Sequence, residues 1–138
     1  MTQLIPTSNH YLLEVSVDDL HRQSRTWLSE IEFWRLELAF YQQLLEKINR
    51  NLPGAEEKKR QDHFQHQLPY FQDELLDQYE HDIREHESLL RNMIQEKAPF
   101  DEQLYREKHK KYEAQLEAFG VDFKGYRKDL YAFAQKYI

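Results

Sequence analysis

No cysteine occurs in this chain, which excludes a disulfide framework, a thiol nucleophile and a thiolate metal site. Glycine and proline are scarce, with three and four copies in 138 residues. So few turn-formers argue against a many-stranded sheet and for a small number of long helices. No apolar run approaches the length of a membrane span. The opening stretch MTQLIPTSNHYLLEV lacks the basic flank and sustained apolar segment of a secretory signal. Basic residues are in the minority, Lys and Arg numbering 19 against 25 Asp and Glu, for a formal net charge of -6. A field of that sign repels nucleic acid and anionic lipid, and the short run Lys58-Lys59-Arg60 does not reverse it. Neither nucleic acid nor membrane is therefore expected as a partner, and the expected location is the cytoplasm. Against these absences stands an ample apolar fraction, 40% hydrophobic and 14% aromatic, enough to bury the core of one domain.

The apolar residues fall at helical spacing. Leu20, Ser24, Trp27, Ile31, Trp34, Leu38, Tyr41, Leu45, Ile48 and Leu52 alternate by four and three, the pattern of a helix that buries one seam. Ser16 and Asp19 form an acidic variant of the capping box and mark its expected start. Pro53-Gly54 marks its end, giving a first helix over 16–52, about 50 Å long at ~1.5 Å per residue. A second helix is expected over 55–97, with Phe64, Leu68, Phe71, Leu75, Tyr79, Ile83, His86, Leu90 and Met93 or Ile94 inward. Pro69 interrupts its backbone bonding without shifting the apolar spacing, so a kink is expected there. Lys97-Ala98-Pro99 forms the next turn. A third helix over 99–138 carries Tyr105, His109, Tyr112, Leu116, Phe119, Phe123, Tyr126, Leu130, Phe133 and Tyr137 at the same spacing, through Gly120 and Gly125.

Three long helices joined by short turns must alternate in direction. The sequence thus specifies an all-α fold, an elongated up-down-up antiparallel three-helix bundle with coiled-coil-like heptad seams and a middle helix kinked near Pro69. Residues 1–15, which mix apolar residues with Pro6, are expected as an extended arm beside a single bundle domain over 16–138.

Histidine is the residue type with the most chemical potential here. Antiparallel alignment of the second and third helices sets residue j beside about 196 − j, which brings His86 next to His109 and Asp82 near Glu113. Asp82 with His86, and His109 with Glu113, are each four apart and share a helix face on which both could touch one ion. These four residues are the candidate metal site, for a divalent ion. Against it, the Glu-x-x-His pairs of di-iron bundles and the His-Glu-x-x-His of zinc proteases are both absent. The competing reading is a buried polar layer that fixes register in an otherwise apolar seam. No glycine-rich phosphate loop or exposed nucleophile turn is present, so no catalytic residue and no cofactor is assigned and the protein is not expected to be an enzyme.

The first helix carries more apolar surface than one seam uses. Phe33, Leu36, Phe40 and Leu44 form a second stripe rotated from the first, and such a stripe must be covered by the arm or by a second chain. Two functions follow as expectations. The first is a non-enzymatic helical interaction or scaffold protein that self-associates, as a homodimer across the first helix, and meets a further protein partner of unknown identity. The alternative is a bundle that binds a metal ion or small ligand through the His/carboxylate layer.

Overall fold

The computed structural model describes residues 5–95 and 101–138, with side chains described from residue 17 onward. Every regular element among these residues is helical, and together they make a three-helix bundle. The first helix, α1, runs unbroken over Ile5–Asn49. Its start lies well upstream of Ser16 because nothing after Pro6 interrupts helical bonding. Pro6 itself sits in the first turn, where a missing N–H costs little. Ser16 and Asp19 are therefore interior to the helix rather than its cap, and residues 5–15 extend α1 instead of forming an extended arm.

The second helix is built from α2 over Ala55–Pro69, a π-helical segment over Tyr70–Leu76 and α3 over Asp77–Ile94. Pro69 explains the middle piece. Having no N–H, it leaves the Gln65 carbonyl without its usual donor, and its ring crowds that carbonyl. The chain goes on in wider turns, so that the Asp77 N–H reaches back five residues to the Gln72 carbonyl. The widening has a consequence for the core. Phe71 and Leu76, five apart, are both buried, whereas Leu75, the residue expected from unshifted spacing, is only partly so.

The expected turn at Lys97-Ala98-Pro99 lies outside the described residues. The third helix, α4, covers Glu102–Ala134 and closes with a 3-10 turn over Gln135–Tyr137. Its N-cap is Asp101, whose carboxylate accepts from the Leu104 N–H at 3.0 Å. The helix passes through Gly120 and Gly125 without a break.

Cross-helix pairs fix the directions. Gln61 Nε2 donates to the Leu45 carbonyl at 2.6 Å, and Arg35 bridges to Asp77 and Glu80 at 2.7 Å each, so the first two helices are antiparallel. Phe64 packs on Phe133 and Phe71 on Tyr126, with ring centres 5.3 and 5.2 Å apart, so the second and third are antiparallel as well. The first and third are parallel: Trp34 lies on Phe119 at 4.6 Å, and Arg127 grips Glu37 through two bonds of 2.8 and 2.9 Å. Burial follows the expected inner face of α1, with Ser24, Trp27, Ile31, Leu38, Tyr41, Leu45 and Ile48 buried and Leu20 and Trp34 partly so; Leu52, past the end of the helix, is also partly buried. The core falls into two parts. A large aromatic cluster extends from Trp27 to the Phe133 end, and a small one holds Leu90, Met93 and Tyr105.

Candidate functional site

Polar side chains lie near the boundary between the two clusters, contributed by all three helices. His86 from α3 and His109 from α4 are 2% and 4% exposed. Their seam positions explain this, because each occupies a core place that its neighbours four and three residues away fill with apolar groups. His86 Nε2 lies 3.0 Å from His109 Nδ1. The His86 ring stacks on Tyr105, nearly parallel with centres 4.2 Å apart, and meets the Tyr112 ring edge-on at 5.2 Å. His109 in turn lies against Trp27 at 4.5 Å.

Beyond His109 the chain of bonds continues to α1 and back. His109 Nε2 is 2.8 Å from Gln23 Oε1, and Gln23 Nε2 donates to Glu113 Oε2 at 2.9 Å. On the neighbouring side, His21 Nδ1 contacts the largely buried Glu87 carboxylate at 2.8 to 2.9 Å. Burial pushes both core imidazoles toward the neutral form. The His86 pKa falls to about 4, first through burial and then through the nearby His109 and Lys108. His109 is lowered by burial too, with Glu113 opposing and Arg106 assisting.

The structure brings together two of the four expected metal ligands and leaves the others apart. His86 and His109 meet directly. Asp82 is taken by Gln78, which donates to it at 2.9 Å along the same helix, and Glu113 is engaged by Gln23. Neither carboxylate bonds an imidazole, and among the described residues no group of three or more His, Asp or Glu side chains is placed to hold a metal ion. Gln23 and Glu87 are the participants that sequence reasoning did not single out. Gln23 carries no periodic signal, being a polar residue beside the seam, and Glu87 follows His86 in a run of charged residues.

The second feature lies on the outer face of α1. Phe33, Leu36 and Phe40 are 62%, 66% and 58% exposed. Leu44, expected in the same stripe, instead packs partly buried against the large cluster. Close by, Glu37 and Tyr41 point toward α4. The Tyr41 hydroxyl donates to Glu37 at 2.8 Å and lies 2.9 Å from the Tyr131 hydroxyl, which clamps this stretch of α1 to the third helix. Burial, with the Tyr131 and Glu37 contacts, raises the Tyr41 pKa far above its usual value, so the phenol stays protonated. The exposed stripe therefore projects from a stretch of α1 that is hydrogen-bonded to α4.

Comparison with protein-family models, with curated proteins and with solved structures returns no match for this chain. Among the described residues no helix is long and apolar enough to cross a membrane.

Proposed function

We propose that this protein is a non-enzymatic helical interaction protein that self-associates through the outer face of α1. The observation that carries the reading is the bare stripe of Phe33, Leu36 and Phe40, three large apolar side chains exposed together at helical spacing on one helix. The backbone argues against cover from the same chain's N-terminus. Residues 5–15 continue α1, so at ~1.5 Å per residue Val15 stands about 27 Å along the axis from Phe33.

A second copy is the occupant that suits the stripe. Leu36 has one phenylalanine three residues before it and one four residues after it. Under a two-fold axis near Leu36, two antiparallel helices set each Phe33 against the second copy's Phe40 and the two leucines against each other. Such a self-matching patch is what an isologous dimer requires. The size of the patch sets the strength. Three side chains about three-fifths exposed offer roughly 350 Å² of apolar surface, against about 800 Å² per partner in a standard interface. Association is thus expected to be weak and concentration-dependent.

Sedimentation equilibrium over a wide concentration range tests this. Wild type is expected to move from monomer to dimer as concentration rises, and Phe33→Glu with Phe40→Glu to remain a folded monomer throughout. Wild type that stays monomeric at every concentration would overturn the reading, as would a double mutant that still dimerises.

A further inference from the structure

The bonds of the polar layer determine where its protons sit. A carboxylate only accepts, so Gln23 must turn its Nε2 to Glu113 and its Oε1 to His109. His109 Nε2 therefore carries a proton and donates to Gln23. A neutral imidazole has one N–H, so His109 Nδ1 is bare and accepts from His86 Nε2–H. His86 Nδ1 is then bare too, and that atom is buried without any hydrogen-bond partner. One proton on each ring satisfies every bond that is made.

Adding a proton to the pair spoils this in every arrangement. If His86 takes it, an N–H appears at His86 Nδ1 with no acceptor. If His109 takes it, both of its nitrogens donate. His86 must then accept at Nε2 and move its own proton to Nδ1, which gives the same orphan donor. A buried charge beside an unmade hydrogen bond is a costly combination. The surroundings give little relief. Helix α1 presents the uncharged Gln23 and Trp27, the Trp27 face favouring a charged His109, and also His21, a titratable group that holds Glu87 beside the pair. On α3, Asp82, Glu85 and Glu87 are bonded to Gln78, His81 and His21. On α4, Lys108 and Arg106 oppose a positive charge and Glu113 favours one, while Tyr105 and Tyr112 are neutral.

We propose that the His86–His109 pair is an acid-operated latch: uptake of one proton expels the pair from the interior and opens the end of the bundle closed by Leu90, Met93 and Tyr105, while the large aromatic cluster stays folded. The division of the core supports a partial opening, since the small cluster has three buried residues and the large one holds most of the aromatic side chains. Both tryptophans pack in the large cluster, but Trp27 lies at its edge against the histidine pair and so reports the latch, whereas Trp34 lies away from it. Trp27 touches His109, and Trp34 touches Phe119 in the large cluster.

The experiment follows emission of two single-tryptophan proteins, Trp34→Phe and Trp27→Phe, as pH is lowered. Trp27 is expected to change between about pH 6 and 4, at least one pH unit above any change at Trp34. Both tryptophans changing at the same pH would overturn the latch. In the Trp34→Phe background, His86→Phe keeps an aromatic ring on Tyr105 but cannot take a proton, and is expected to move the Trp27 transition to lower pH. No shift would count against the proposal. Nitrogen NMR of the wild-type histidines needs no folded variant: at pH 7 both rings are expected as the neutral Nε2–H form, and a doubly protonated His86 or His109 there would overturn the proton assignment.

Discussion

Single residues show how far burial can be inferred from spacing. Trp34 occupies a seam position by its four-three neighbours, which would imply a loss of roughly 3 to 5 kcal/mol on truncation to alanine. In the structure it is only partly buried, with one broad contact on Phe119. Trp34→Ala is therefore expected to cost about 2 kcal/mol, less than a fully buried tryptophan, as urea unfolding would measure. The glycines of α4 give the opposite sign. A Cβ added at Gly125 would meet nothing within 4 Å, so the glycine serves no packing need, and Gly125→Ala is expected to stabilise the protein by roughly 0.5 to 1 kcal/mol through the backbone entropy of the unfolded chain. The meeting of His86 with His109 was legible because both sit in seams whose antiparallel alignment is set by short turns. The partners of Asp82 and Glu113 were not. A surface carboxylate can satisfy itself along its own helix, as Asp82 does with Gln78, and no periodicity records that choice.

Elements were readable where apolar spacing and breakers agreed. Pro53-Gly54 separates the first two helices, and α4 runs through both of its glycines. The start of α1 was not readable, because Ser16 and Asp19 look like a cap while the residues before them contain nothing after Pro6 to stop a helix. After Pro69 one core position departs from the expected set, Leu76 in place of Leu75, while Phe71, Ile83, His86, Leu90 and Met93 are buried as expected. A proline was expected to kink the helix and leave the spacing intact, whereas the chain absorbs the missing donor by widening over Tyr70–Leu76, which makes Leu76 the buried residue in place of Leu75. Such a segment is equivalent to one extra residue in an α-helix. Deleting Glu74, which is exposed, is expected to return the segment to ordinary α-helical bonding, bring the core positions on either side four apart, and leave the thermal midpoint unchanged or higher. A loss of more than about 3 kcal/mol in urea unfolding would show that the wide turns are needed for packing.

For the molecule as a whole, pH and shape matter most. His86 has a folded-state pKa of about 4, below the ~6.5 of an unfolded histidine, and His109 is shifted in the same direction. Between those values the unfolded chain binds more protons than the folded one. Stability due to these groups is thus complete above about pH 6.5 and is lost as pH falls toward 4. Unfolding free energies of wild type and of His86→Phe, compared across that range, are expected to fall more steeply with acid in the wild type. The length of α1 has a different consequence. A helix of 45 residues is about 67 Å from end to end, whereas a compact chain of this size has a radius of gyration near 14 Å. Friction grows with such elongation, so a single copy would leave a gel-filtration column ahead of a spherical standard of equal mass. Elution volume alone would report a dimer where there is a rod-like monomer, and mass must be measured by a method blind to shape.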